Sequence, residues 1–217
     1  MKQRPDEQPV EILIGANRLQ GMLCVPDHPR GIVLFAHGSG SGRLSPRNNF
    51  VARHLQQGQM ATLLMDLLEE LEAEDRRNVF DIPLLAKRLL GATTWLAGQS
   101  KTERLRVGYF GASTGAGAAL QAAAQAPDRL AAVVSRGGRP DLAAAYLPNV
   151  TAPTLLIVGG DDEPVIEMNR EALALLACPK QLIIVPGASH LFEEPGTLER
   201  VAALALDWFQ RYLSPPS

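Results

Sequence analysis

Three residue types that cooperate in nucleophilic catalysis each follow an apolar run of the sequence. Ser113 lies in "GASTG" after "LRVGYF", Asp161 and Asp162 follow "TLLIVGG", and His190 follows "LIIVPGAS". A serine hydroxyl is a weak nucleophile until a base accepts its proton, and the base needs an acid to orient it. The order serine, acid, histidine therefore indicates acyl transfer through a serine nucleophile.

The serine lies in a G-x-S-x-G pattern formed by Gly111, Ser113 and Gly115. Such a turn between a strand and a helix holds its serine in a strained backbone conformation that exposes the hydroxyl. Glycines two residues to either side remove the clash between strand and helix. A phosphate-binding loop would need Lys where Ala116 stands, and a dinucleotide fingerprint would need a small residue where Leu120 stands. Taken alone, the serine could also be an ordinary turn residue.

His190 is the preferred base because it follows the last predicted strand and precedes the last predicted helix. His28 lies among prolines in an early turn, and His54 lies inside a predicted helix. His37 precedes a glycine-rich loop, "GSGSG", and is interpreted as shaping that loop.

Two neighbouring aspartates compete for the role of the orienting acid. The turn after "TLLIVGG" allows Asp162 to swing its carboxylate toward the histidine loop, whereas Asp161 is predicted to cap the next helix or to face water. Asp141, after the preceding strand, is a more distant alternative. We predict Ser113, Asp162 and His190 as the catalytic residues.

The elements that must position these residues alternate between strands and helices. Two N-terminal strands, "VEILIGA" and "LQGMLCV", are predicted to form a hairpin with a turn at Asn17-Arg18. The later strand-like runs are "GIVLFAH", "QMATLLMDL", "LRVGYFG", "LAAVVSRGG", "APTLLIVGG" and "QLIIVPG". Helical patterns separate them, among them an alanine-rich segment after Ser113 and a long C-terminal segment.

Strands that are apolar throughout and separated by helices predict an α/β fold with a mostly parallel sheet covered by helices on both faces. An antiparallel N-terminal hairpin would extend this sheet. We predict one domain over residues 1–217, and no cap domain, since the chain runs directly through "SRGGRPDLAAAYL" after its sixth strand-like run, "AAVV". The cleft would be open and roofed at most by loops 38–47 and 67–79, which favours small or short-chain acyl groups.

Composition places the chain among ordinary globular proteins. The net charge of −2 gives no reason to expect nucleic acid or a membrane as a partner. Cys24 and Cys178 have no metal-binding spacing and indicate a reducing compartment. No apolar run is long enough for a signal peptide or a membrane span. We therefore expect a cytoplasmic protein without metal or cofactor, and the sequence carries no signal for an oligomeric state.

Four segments resemble the α/β-hydrolases, and in particular the small esterases similar to dienelactone hydrolase: "FAHGSGSG", "GYFGASTGAGAAL", "PTLLIVGGDDEPV" and "PGASHLFEEPG". The resemblance implies an oxyanion hole formed by backbone N–H groups of Thr114 and Ser39, with Gly38 as the alternative to Ser39. Dienelactone hydrolase proper carries cysteine as nucleophile, whereas this chain has Ser113. Relatives of this type also occur fused to a phosphoribosyltransferase domain, which we do not find in this sequence.

The predicted function is therefore a serine hydrolase of the carboxylesterase kind, acting on small carboxylic esters through an acyl-enzyme. A thioesterase is the nearest alternative, and a catalytically degenerate hydrolase fold that serves as a binding partner is another.

Four arginines follow predicted strand ends and could rim the site: Arg43, Arg47, Arg136 and Arg139. Arginine suits bidentate contacts with carboxylates, so these residues could bind an acidic substrate. They could equally form an internal network with neighbouring acidic residues, namely Asp66, Glu69, Glu70 or Asp141.

Overall fold

Eight strands form one sheet in this computed structural model, which describes residues 7–214. The strands are β1 Glu7–Ile14, β2 Asn17–Cys24, β3 Ile32–Ala36, β4 Ala61–Met65, β5 Val107–Ala112, β6 Ala132–Arg136, β7 Thr154–Gly159 and β8 Lys180–Val185. Their order across the sheet is β1-β2-β4-β3-β5-β6-β7-β8. The pairs β1–β2 and β2–β4 are antiparallel and all others are parallel. The predicted mostly parallel sheet with an antiparallel N-terminal hairpin is confirmed.

Helices cover both faces of the sheet. They are α1 Pro46–Gln57, α2 Glu70–Glu74, α3 Arg76–Val79, α4 Ile82–Ala97, α5 Thr114–Gln125, α6 Glu163–Leu175 and α7 Thr197–Leu213. Helices α1 and α7 share one buried cluster with residues of the central strands, while α4, α5 and α6 share another cluster on the opposite face. The central strands β3 and β4 are buried along their whole length, which explains why they are apolar throughout.

The hairpin turn lies two residues earlier than the sequence indicates. Ile14 pairs with Asn17, so the turn consists of Gly15 and Ala16, and Asn17 and Arg18 belong to β2. Gly15 has a φ of +62°, a conformation that glycine adopts without steric cost. The predicted turn at Asn17-Arg18 is therefore wrong, because the positive φ that the turn requires is met by the glycine.

The segment between β4 and α4 contains two short helices, α2 and α3, where the sequence predicted a loop. Between β6 and β7 the chain forms only the 3-10 segment Pro140–Asn149. Within residues 7–214 no inserted cap covers the sheet, as predicted. No helix in this described range is both long and apolar enough to cross a membrane.

Candidate active site

Ser113 lies in the sharp turn between β5 and α5, with φ 50° and ψ −123°. A positive φ is uncommon for a residue with a side chain and marks a strained backbone. A Cβ on Gly111 would lie 2.5 Å from Ala116 Cα, and one on Gly115 would overlap the carbonyl oxygens of Ala36 and His37. Both glycines are therefore required for strand and helix to pack this closely, and the strained turn predicted from the sequence is present.

Asp162 and His190 are brought together from two neighbouring strand ends. The Asp162 Oδ2 atom lies 2.6 Å from His190 Nδ1, so the carboxylate accepts a hydrogen bond from the ring N–H. The Asp162 side chain is mostly buried, with 14% of its surface exposed, while that of His190 is 39% exposed. A short bond from a shielded carboxylate fixes the tautomer of the imidazole and leaves Nε2 as the proton acceptor.

Backbone contacts explain why Asp162 rather than Asp161 reaches the histidine. The Asp161 N–H donates to the Ala188 carbonyl at 3.0 Å, which ties the end of β7 to the histidine loop. The Asp161 side chain points to solvent and is exposed, whereas the next residue directs its carboxylate inward. On the other side of the loop, the Ser189 N–H donates to Glu194 Oε2 at 3.0 Å.

Ser113 and His190 line one cavity of about 260 Å³, which we call the nucleophile cavity. Its other walls come from the loop after β3, the start of α1, the end of β6 and the residue after the histidine: Gly38, Ser39, Ser41, Ser45, Arg47, Ala112, Arg136 and Leu191. Among residues 7–214, no hydrogen bond joins the serine hydroxyl to the imidazole in this structure. Such contacts are often long in ligand-free enzymes and shorten when a substrate binds.

The loop after β3 approaches Ser113 closely. A Cβ on Gly38 would lie 3.0 Å from Ser113 Cβ, so only glycine fits there without displacement. The Ser39 N–H, predicted as an oxyanion donor, donates to the Thr114 side-chain hydroxyl at 3.0 Å. The two predicted donor residues are therefore adjacent, and the Thr114 hydroxyl occupies the position that a ligand oxygen would take on the Ser39 N–H.

His37 is held by backbone groups on both sides of its ring. Its Nδ1 lies 3.0 Å from the Gly38 carbonyl, and its Nε2 accepts from the Leu67 N–H at 3.1 Å. This pair of contacts requires a neutral ring that is protonated at Nδ1. Burial lowers the pKa of His37, in agreement with the neutral form. The interpretation that His37 shapes the glycine loop agrees with these contacts.

Three of the four candidate arginines have carboxylate partners. Arg43 pairs with Asp66, Arg47 Nη1 lies 3.0 Å from Glu193 Oε1, and Arg139 forms two hydrogen bonds with Asp141. Arg43 and Arg139 thus make two of the internal pairs that the sequence allowed.

Arg136 differs from these three arginines. It is only 8% exposed, and its Nε and Nη1 atoms are buried without a hydrogen-bond partner in the described part of the chain, residues 7–214. Its guanidinium lies 6.0 Å from the centre of the Phe192 ring. Burial, together with the nearby charge of Arg47, lowers the pKa of Arg136 to about 10.

A second cavity of about 770 Å³, the side cavity, adjoins the glycine loop on the side away from His190. Its apolar part is contributed by the segment between β4 and α4, which includes α2 and α3, and by α4 itself: Leu68, Leu71, Ala73, Val79 and Leu85. The sequence identified segment 67–79 as a roof of the cleft but gave no sign of its two helices. Within residues 7–214, no cluster of three metal-ligating side chains exists.

The order of the sheet, the strained serine turn and the paired acid and histidine together define the α/β-hydrolase class. Comparison with known proteins gives the family. The chain belongs to the dienelactone hydrolase family, whose model matches residues 19–214.

The chain is similar to a dienelactone hydrolase of Anabaena variabilis, with 59% identity, a TM-score of 0.95, and coverage of 97% of this chain and 100% of that chain. The structure of Est1E from Butyrivibrio proteoclasticus shares the fold at 16% identity, with a TM-score of 0.80 and coverage of 94% and 98%. A Mycobacterium tuberculosis protein that bears a provisional phosphoribosyl transferase name is 58% identical over 210 residues, which are 97% of this chain and 47% of that protein. The chain thus spans about half the length of this curated relative.

Proposed function

We propose that the protein is a serine esterase that cleaves small carboxylic esters through an acyl-enzyme. The observation that carries this proposal is the 2.6 Å contact between Asp162 and His190, together with the cavity that His190 shares with the strained Ser113. Family membership supports hydrolysis as the reaction class, and the serine at the turn supports an oxygen nucleophile.

In the proposed mechanism, Ser113 Oγ attacks the ester carbonyl while His190 Nε2 accepts its proton. Asp162 holds the imidazole by its Nδ1–H and stabilises the positive charge that forms. The imidazolium then returns the proton to the alcohol oxygen, and the C–O bond breaks. A water molecule, activated by the same imidazole, attacks the acyl-serine and releases the acid.

The negative charge on the carbonyl oxygen needs preorganised donors. The Thr114 N–H is at the first turn of α5, where N–H groups have no partner within the helix, and the helix dipole favours negative charge there. The Ser39 N–H would be the second donor, once the Thr114 hydroxyl gives way to the carbonyl oxygen. One such donor is worth about 10²–10³ in rate.

The acyl group would extend into the side cavity. The leaving oxygen must lie within reach of His190, which lines the nucleophile cavity and is absent from the walls of the side cavity. The acyl portion would then lie across the glycine loop, against Leu68 and Leu85. Leu71 and Val79, from helices α2 and α3, would also face this acyl portion, and we expect it to be short.

Thioesters would react by the same steps, since the acyl-enzyme is identical. The phosphoribosyl transferase name belongs to a relative about twice as long, and residues 19–214 of this chain match a hydrolase family. We therefore assign no phosphoribosyl transfer to these residues.

A panel of p-nitrophenyl esters from acetate to laurate, together with the matching thioesters, tests the proposal. We expect the highest kcat/KM for short oxygen esters and no activity in Ser113→Ala. A Ser113→Ala protein that is folded and still active would contradict the assignment of the nucleophile. A folded wild-type protein that hydrolyses none of these esters or thioesters would support the binding-partner alternative.

A further inference from the structure

Arg136 is a buried cation that has no anionic partner among residues 7–214. It lines the nucleophile cavity, and two of its side-chain nitrogen atoms lack any hydrogen-bond partner in the same range. A buried charge without a partner is costly, and buried polar groups in proteins are almost always satisfied. The carboxylate of Asp162, the proposed catalytic acid, is hydrogen-bonded to His190.

The surroundings hold the guanidinium without satisfying it. The aromatic ring of Phe192 lies 6.0 Å from the guanidinium carbon and provides only a cation–π contact. Phe192 itself has a φ of +57°, a strained conformation for a side chain of this size. The fold therefore keeps an aromatic ring beside Arg136, and within residues 7–214 no acceptor satisfies its Nε and Nη1 atoms.

The opposite wall of the cavity adds further donors for a negative group. Helix α1 begins there with Ser45 as its N-cap, and both Ser45 and Ser41 line the cavity. Arg47 also lines it, and its one carboxylate partner within residues 7–214 is Glu193, in a surface pair of a kind that contributes little stability. Two arginines, two serines and the start of helix α1 thus line the same cavity of about 260 Å³.

We infer that Arg136 and Arg47 bind an oxyanionic group, a carboxylate or a phosphate, carried by the alcohol portion of the substrate. The inference rests on the proposed esterase function, because His190 lines the same cavity and must reach the leaving oxygen. The planar fork of an arginine matches the oxygens of either anion in a bidentate way. The substrate class would be esters of small hydroxy acids or of phosphorylated alcohols.

Four aryl esters separate charge, its position and its chemistry. They are 4-acetoxybenzoate, its neutral methyl ester, 4-acetoxyphenyl phosphate, and the hemisuccinate of methyl 4-hydroxybenzoate, which has the leaving group of the neutral ester and carries its charge on the acyl side. We expect kcat/KM for one or both alcohol-side anions to exceed that of the neutral ester by about 10- to 100-fold, the strength of hydrogen bonds to charged groups. The larger of the two ratios identifies carboxylate or phosphate as the recognised group.

Arg136→Gln should reduce this anion preference to about one, while Arg170→Gln should retain it. Arg170→Gln is the matched control, because this substitution removes the same charge from the exposed face of α6. A wild-type protein that hydrolyses neutral and anionic esters equally well, or that prefers the hemisuccinate, would overturn the inference and leave the esterase proposal intact.

Direct binding separates the two proposals further and does not depend on turnover. Calorimetric titration of the wild-type protein with 4-hydroxybenzoate and with phenyl phosphate should show saturable binding, weakened in Arg136→Gln and unchanged in Arg170→Gln. If Arg136→Gln does not fold, Arg136→Lys keeps the charge but loses the fork, and we expect weaker binding there too. Absence of binding by both anions to the wild-type protein would contradict the inference.

Discussion

His37 and His190 follow strands of the same sheet, yet the structure gives them opposite environments. His37 lies between two backbone groups, with one ring nitrogen on the Gly38 carbonyl and the other on the Leu67 N–H. His190 has one nitrogen on the carboxylate of Asp162, and its ring lines the nucleophile cavity. The comparison teaches that a histidine becomes a base when an acid holds one nitrogen and the other can meet a ligand.

The largest effect should follow from removing His190, the histidine that is hydrogen-bonded to Asp162. His190→Ala deletes the proposed proton acceptor, and we expect kcat/KM for a short ester to fall by about 10⁴–10⁶. The melting temperature should change little, because the side chain is 39% exposed. Ester assays and melting curves on the same sample check both parts. If His190→Ala retained most of its activity, the two histidines would not differ as described.

Replacing the acid should have the next largest effect. Asp162→Asn leaves the shape of the side chain but cannot hold the correct tautomer of His190, so we expect kcat to fall by about 10³–10⁴. Asp161→Asn is the matched control. The Asp161 side chain is exposed, so we expect this substitution to leave kcat nearly unchanged. Reversed results in the same assay would show that the wrong aspartate has been assigned.

Replacing His37 should lower the free energy of unfolding more clearly than it lowers activity. His37→Ala would leave the Leu67 N–H without its partner, which costs about 1–3 kcal/mol of unfolding free energy, while the Gly38 carbonyl would keep its bond from the Ser41 N–H. The loss of kcat should be much smaller than in His190→Ala, because only the glycine loop is affected. Urea unfolding followed by fluorescence measures the stability. A His37→Ala protein as stable as the wild type would show that these backbone contacts are dispensable.

The smallest effect should be a pH dependence of stability. Burial lowers the folded-state pKa of His37 below its ordinary 6.5, so the unfolded chain takes up the proton first as the pH falls. The unfolding free energy should therefore fall as pH decreases through 6.5, until the folded-state pKa is passed. His37→Gln should show a shallower fall between pH 8 and pH 5, by urea unfolding at each pH. Equal slopes in both proteins would contradict this origin.

Local sequence patterns predicted most of the sheet and placed Ser113, Asp162 and His190 after strands. Apolar runs marked the central strands because both faces of the sheet are buried there, and G-x-S-x-G located the turn at Ser113 because its glycines are required by close packing. The same kind of reasoning placed the hairpin turn wrongly, because either Gly15-Ala16 or Asn17-Arg18 could have provided it.

Local sequence patterns did not predict the contacts between residues that are far apart in the chain. Helix α2 depends on partners far along the chain: Arg88 Nη2 lies 2.6 Å from Glu72 Oε1, and the Arg18 N–H donates to Glu69. The isolation of Arg136 among four similar arginines likewise results from which carboxylates the fold places beside the others. No local pattern in the sequence contains that information.

In the proposed mechanism, Ser113 forms an acyl-enzyme in a site where His190 serves as base. Intact-protein mass spectrometry after treatment with a fluorophosphonate, followed by peptide mapping, tests it most directly. We predict one adduct per chain on the peptide that contains Ser113, none in Ser113→Ala, and greatly slowed labelling in His190→Ala. His37→Ala should label at a rate close to that of the wild type. An adduct on another residue, or equal labelling of folded Ser113→Ala, would contradict the account.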